Sequence, residues 1–165
     1  MTAQRTSGET VTLRHGHTTV VVGVREDAPA SLDELRVRDD VSVVRPERLV
    51  EVFTAVERHD RMTLGYVGSA IGSRLRVVDV RVLDAAVSET SGSDGQSGID
   101  RPVIHIVQTD TDTGLRVTTG IQIVADGIRI THDLTNEGQV PIVLFALPSL
   151  TARIAAEPEQ LTLTQ

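Results

Sequence analysis

The last third of the chain alternates apolar and polar residues over three runs, and this pattern constrains the fold more than any other feature. The runs cover 115–124, 127–135 and 140–147, and Ala-Asp-Gly and Asn-Glu-Gly separate them. Alternation with a period of two is typical of a strand with one buried face, and Gly and Asn adopt the positive φ that tight hairpins need. The pattern therefore predicts an antiparallel meander.

Similar alternation elsewhere extends this prediction to an all-β antiparallel sandwich, supersandwich-like, with one or two short covering helices. Further strands are predicted at 11–14, 18–24, 75–83 and 102–109, which gives about seven or eight in all. Val and Thr are abundant in the sequence, and both residue types favour strands.

The predicted core follows from the same alternation, so a slip of one residue would exchange its inner and outer sets. The core candidates are Leu13, Val20, Val22, Val78, Val80, Ile104, Ile106, Ile121, Ile123, Ile128, Ile130, Leu134, Val143 and Phe145.

Two segments between the strands carry other signals. The run PERLVEVFTAVERH at 46–59 begins with Pro and places apolar residues on one helical face, which predicts a covering helix. The run LGYVGSAIGSR at 64–74 is rich in Gly and predicts a loop.

The domain organisation is predicted to be simple. We expect a flexible N-terminus at 1–9, one sandwich domain at 10–157 and a C-terminal tail at 158–165. A Ser/Gly-rich stretch at 88–100 has no core-forming residues, so it predicts a flexible loop within the domain. The length of 165 residues is enough for one domain with a sizeable core.

Composition and charge argue against several kinds of partner and site. The net charge is −7, with no long run of one sign, so a nucleic-acid partner is not expected. The absence of Cys excludes disulfides and thiolate metal sites. Because no apolar run approaches about 20 residues and the N-terminus lacks an apolar signal segment, we expect no membrane partner and a cytoplasmic location.

Catalytic and metal-binding patterns are weak. His15 and His17 would share a strand face, as two zinc ligands can, but no third ligand accompanies them in the sequence. The carboxylate pairs that glycosidase chemistry would need are Asp110 with Asp112, Asp39 with Asp40, and Asp126 with Asp133. The first pair lies in TDTDTG, which is interpreted as a solvated turn. We therefore predict no catalytic residue, no metal site and no cofactor.

Several segments, taken in order, resemble the N-terminal domain of family 36 α-galactosidases. They are VTLRHGHTTVVVGV, the 46–59 run, the Gly-rich loop with the strand after it, and the meander with its LTNEG turn and closing Pro148. In the loop, Gly68, Gly72 and Arg74 match the family pattern, and Tyr66 stands where the family has Trp.

The resemblance implies a scaffold or interface role rather than catalysis. In that family the sandwich precedes a catalytic (β/α)₈ barrel, which about 165 residues cannot also hold. Residues 28–35 also depart from the family pattern. Expected partners are a catalytic barrel, a second copy of the chain, and a carbohydrate.

Tyr66 and Arg74 are the substrate-binding candidates that follow from the resemblance. A sugar ring would stack on Tyr66, and the Arg74 guanidinium would donate to its hydroxyls. The competing interpretation is that Tyr66 caps the core and Arg74 pairs with a surface carboxylate. The alternative function is a free-standing Ig-like interaction or adhesion module, which should be monomeric with polar outer faces. A docking module should instead expose an apolar patch.

Overall fold

A computed structural model describes residues 2–6, 10–37, 40–41, 47–55, 68–83, 103–124, 127–148 and 150, and it places them in twelve strands and one short helix. The first seven strands are β1 (Thr2–Thr6), β2 (Thr10–His15), β3 (Thr18–Gly23), β4 (Ser31–Val37), β5 (Asp40–Val41), β6 (Glu47–Arg48) and β7 (Phe53–Thr54). They are followed by α1 (Ala70–Arg74), β8 (Arg76–Leu83), β9 (Val103–Asp110), β10 (Leu115–Val124), β11 (Gly127–Asn136) and β12 (Leu144–Ala146).

Two antiparallel sheets form the body of the molecule, as the sequence predicts. One sheet has the order β1-β2-β3-β4-β5, with β6 paired to β4. The other has the order β11-β10-β9-β8, and β12 pairs with β7 in a small ribbon. The inner faces of both sheets contribute to one apolar cluster. The all-β, sandwich-like fold is therefore confirmed.

Half of the fourteen predicted core residues are confirmed as fully buried. Leu13, Val20, Val22, Ile104, Ile106, Ile121 and Ile123 are fully buried. Val80, Ile128, Ile130 and Leu134 are partly buried against them. The core also includes buried residues that strand alternation did not select, namely Val11, Leu32, Leu49, Val50, Val52, Ile71, Leu75, Leu115 and Val117.

Val78 was predicted to be in the core, and this is wrong because β8 contains a bulge. The register of β8 against β9 shifts between Val77 and Asp79. The extra residue of a bulge reverses the side-chain alternation. Val77 faces the core before the shift and Val80 after it, while Val78 is left 56% exposed.

The covering helix at 46–59 is also wrong over its described part. Residues 47–55 are extended and contain β6 and β7. Leu49, Val50, Glu51 and Val52 are consecutive and all buried, whereas an amphipathic helix would turn some of them to solvent. The backbone N–H of Leu49 donates to Ala30 O at 2.8 Å, which holds the segment against the start of β4. Pro46 and residues 56–59 lie outside the described residues.

The third predicted run, 140–147, is a strand only at Leu144–Ala146 and does not join the meander. It pairs with β7 instead. Asn136 redirects the chain, because its Oδ1 accepts from Gly138 N–H and its Nδ2 donates to Val140 O. Val143 and Phe145 are consequently 62% and 76% exposed, so their assignment to the core is wrong.

β1 and β4 lie in stretches where the sequence pattern predicts no strand. β1 lies in the stretch expected to be a flexible N-terminus and pairs along its whole length with β2. β4 lies in a charged stretch, and its pairing with β3 shifts register between Val21 and Val22. The predicted loop at 88–100 and the tail at 158–165 lie outside the described residues.

Candidate functional site

A cleft of about 570 Å³ opens at the end of the four-stranded sheet where β8 begins and β11 ends. Its walls are α1, the β9–β10 turn at 111–114, the segment at 138–143 and Thr54 of β7. The Arg74 side chain, predicted as a ligand contact, lies in this wall. The cleft is therefore the candidate site.

Arg74 is held by two carboxylates. Its Nε donates to Asp110 Oδ1 at 3.1 Å and its Nη2 donates to Asp110 Oδ2 at 2.9 Å, a bidentate arrangement. Nε also lies 3.3 Å from Asp112 Oδ2. Asp110 is 1% exposed and Asp112 is 69% exposed, so one carboxylate anchors the guanidinium from inside and the other faces solvent.

The electrostatics of this group favour a charged Asp110. Burial alone raises the pKa of Asp110, but hydrogen bonds from Arg74 and Thr113, the positive charge of Arg74 and the backbone N–H of Asp112 outweigh it and lower the pKa below its ordinary value. The carboxylate is thus an ionised anchor for Arg74 and is poorly suited to donate a proton.

The floor of the cleft is formed by two glycine loops in backbone contact. Gly114 has a φ of +72°, and a Cβ built on it would lie 2.6 Å from Gly138 N. The backbone N–H of Glu137 donates to Gly114 O at 2.8 Å. A side chain at either glycine would separate the loops, so the shape of the floor depends on both.

A polar cluster of half-buried Arg48 with buried Glu51 and Ser69 positions α1 and therefore Arg74. The Glu51 carboxylate is 4% exposed and accepts from the backbone N–H of Ser69 at 2.7 Å and from its Oγ at 2.6 Å. Arg48 Nε lies 3.1 Å from Glu51 Oε1. Ser69 caps α1 by accepting from Gly72 N–H, and its Oγ also accepts from Val52 N–H, both at 3.0 Å.

Gly68 and Gly72, which match the family 36 pattern, both lie against this cluster. Gly68 has a φ of +91°, and a Cβ there would collide with Arg48 Nη2 and lie 2.8 Å from Glu51 Oε1. A Cβ on Gly72 would lie 2.5 Å from Glu51 Oε2. Both glycines are therefore required by the close approach of the buried carboxylate.

An apolar surface, here called the end strip, adjoins the cleft and consists of Val140, Val143, Leu144 and Phe145. Their exposures are 71%, 62%, 48% and 76%. Val140 and Val143 also line the cleft. Large exposed apolar residues that are concentrated in one short segment are typical of an interaction surface.

Of the two predicted substrate-binding residues, Arg74 lies in the described part of the chain and Tyr66 does not. Arg74 pairs with a carboxylate, as the competing interpretation has it, but Asp110 is buried rather than at the surface. The interpretation of TDTDTG as a solvated turn is therefore wrong for Asp110. Tyr66 lies outside the described residues, as do Asp39, Asp126 and the side chain of Asp40.

The histidines and other ligand types give no metal site in the described part of the chain. No group of three or more His, Cys, Asp or Glu residues there could hold a metal ion. His132 Nδ1 lies 2.9 Å from Thr119 Oγ1 on the inner face of the four-stranded sheet.

Among the described residues, no helix has both the length and the apolar character needed to cross a membrane.

The cluster of Arg48, Glu51 and Ser69 was not found from the sequence. Ser69 in front of Ala70 and Gly72 is an N-cap signal that could have been recognised. Nothing in the local sequence marks Glu51 as its partner, because 18 residues separate the two.

Comparison with known proteins adds no relative. No protein-family model matches the chain, and neither a curated protein nor a solved structure is significantly similar to it.

Proposed function

We propose that the chain is a non-catalytic β-sandwich module of an α-galactosidase-like glycoside hydrolase and that it acts as a scaffold by docking a catalytic barrel. The end strip is the observation that carries this proposal. Its four residues are apolar and strongly exposed, and they adjoin the cleft at one end of the molecule. The resemblance of the ordered motifs to family 36 is the reason for naming a barrel as the partner.

The chemistry of the cleft supports a non-catalytic role. A glycosidase needs one carboxyl group that is protonated and a second one across the substrate. Asp110 and Asp112 both lie on the same guanidinium of Arg74, and the pKa of Asp110 is lowered. Both carboxylates therefore hold Arg74, and Asp110 is poorly suited to supply the acid.

A carbohydrate contact is a secondary part of the proposal. Arg74, Asp112 and Thr113 give the cleft a polar side beside its apolar wall, and an exposed carboxylate can accept hydrogen bonds from sugar hydroxyls. Galactose should then raise the melting temperature of the chain, and Asp112→Asn should reduce that rise.

Calorimetric titration of the chain with the isolated barrel of a family 36 α-galactosidase tests the docking. We expect binding by the native chain and a loss of at least about tenfold in affinity for Phe145→Ser, because exposed aromatic anchors dominate interfaces. Val78→Ser is the matched control, since Val78 is also an exposed apolar residue but lies on β8. Absence of binding, or equal losses in both variants, would contradict the proposal.

The alternative of an Ig-like interaction module has one supporting observation. The outer face of β11 is polar, with Arg129, Thr131 and Asp133 exposed. A chain of this kind should fail to bind the barrel and should show no response to galactose. The calorimetric and thermal measurements together distinguish the two functions.

A further inference from the structure

β11 is a long strand at the edge of the four-stranded sheet. It has ten residues, and within the described residues its only partner is β10. The far edge of such a strand presents backbone N–H and C=O groups in the spacing that another strand needs. An edge of this length is a template for pairing.

The inner side of β11 is less well covered than that of β10. Ile121 and Ile123 of β10 are fully buried. Their cross-strand neighbours Ile130 and Ile128 are only partly buried, as is Leu134. An added strand beyond β11 would bury these apolar side chains further.

We propose that a second copy of this chain pairs with β11, antiparallel, about a two-fold axis at Thr131. In this register Arg129 of one copy faces Asp133 of the other, and the symmetry repeats the pair. On the inner face, Ile128 lies opposite Leu134, again twice. Cross-strand pairs of opposite charge and of apolar residues both stabilise a sheet, and a two-fold contact must be complementary to itself.

The neighbouring registers lack this complementarity. Residues that face each other across an antiparallel pair must point to the same face, so the axis can move only by whole residues along the strand. An axis at Ile130 places Arg129 against Thr131, and an axis at His132 places Asp133 against Thr131. Only the Thr131 axis pairs both charged residues.

The paired molecule would have one continuous eight-stranded sheet, since each copy contributes four strands. The end strip lies beyond the Asn136 end of β11 and is not part of this contact. The pairing therefore does not rest on the proposed docking of a barrel, and either can fail without the other.

Sedimentation equilibrium on the full chain tests the pairing through a charge exchange. We expect a dimer whose dissociation constant rises at least about tenfold in Arg129→Asp and in Asp133→Arg, because each reversal places like charges opposite each other twice. The double variant Arg129→Asp with Asp133→Arg should recover dimerisation. Arg14→Asp, an exposed reversal on β2, is the control and should dimerise normally.

Circular dichroism should show the same fold in all four variants, since the changed residues are exposed. A native chain that is monomeric at every soluble concentration would overturn the proposal. So would a dimer that both single reversals leave intact, or one that the double variant fails to restore.

Discussion

Gln108 and Ala30 join the two main sheets through the core. Gln108 Oε1 accepts a hydrogen bond of 2.7 Å from the backbone N–H of Ala30, and both residues are fully buried. Gln108 lies on β9, and Ala30 immediately precedes β4, so the bond bridges the layers. The Nε2 of Gln108 is buried and has no hydrogen-bond partner among the described residues.

Replacing Gln108 should show how much this bridge contributes. Gln108→Leu leaves the N–H of Ala30 buried without an acceptor, so we expect a loss of about 1–2 kcal/mol in the free energy of unfolding, measured with urea. The loss should stay below that of Gln108→Ala, because both variants remove the unpaired Nε2 but only Gln108→Ala opens a cavity. Gln139→Leu, at an exposed position, should change little. Unchanged stability in Gln108→Leu would show that the bridge is dispensable.

Glu51 should be much more sensitive to replacement than an exposed carboxylate, because it is buried and hydrogen-bonded to Ser69. Glu51→Ala removes the acceptor of the Ser69 N–H and of Arg48 Nε. Because Glu51 is buried but Arg48 is 28% exposed, we expect a cost of about 3 kcal/mol, at the low end of the range for a broken buried ion pair. Glu34→Ala breaks the more exposed pair with Arg36 and should cost at most about 1 kcal/mol. Denaturant unfolding of the two variants gives the comparison, and equal costs would refute a special role for Glu51.

Gly16 and Gly68 both have a positive φ. Replacing each with Ala therefore distinguishes the cost of backbone strain from the added cost of a steric collision. Gly16 has a φ of +56° and no atom within 4 Å of a built Cβ, so Gly16→Ala should cost only about 1 kcal/mol. Gly68→Ala adds a collision with Arg48 and Glu51 to the same strain and should cost clearly more. Thermal unfolding should show the larger fall in melting temperature for Gly68→Ala, and the reverse order would contradict the described packing.

Asp110 should make stability depend on acid pH. Because its folded pKa lies below the ordinary value, the native state binds fewer protons than the unfolded state, and protonation favours unfolding. Its contribution is complete above the unfolded pKa of about 4 and is lost as the pH falls through the folded pKa. Asp110→Asn should lower stability at neutral pH and flatten the acid decline. The more exposed Asp79→Asn is the control and should change the stability at neutral pH by less than Asp110→Asn does.

How much of the fold the sequence predicts depends on how local each signal is. The hairpin of β10 and β11 was predicted nearly residue by residue, because its alternation and its turn are neighbours in the chain. Val78 was misplaced because a bulge depends on the partner strand. The 46–59 segment was misplaced because Leu49 to Val52 are buried on every side, and tertiary packing then overrides helical periodicity.

The candidate site was predicted only in part for the same reason. Arg74 is predicted as a site residue from the Gly-rich loop. It lies in the cleft wall because it is the last residue of α1, which neighbouring residues form. Its partner Asp110 lies 36 residues further along the chain, and no local pattern connects the two. The end strip was assigned to the core because its residues are apolar, and only the redirection of the chain at Asn136 leaves them exposed.

The most direct test of a module that docks but does no chemistry is an assay of the chain alone against a chromogenic α-galactoside. We expect no hydrolysis above the rate in buffer, because Asp110 and Asp112 are both engaged by Arg74. Hydrolysis that the chain supports and that Asp112→Asn abolishes would contradict it, since the carboxylates of the cleft would then be catalytic.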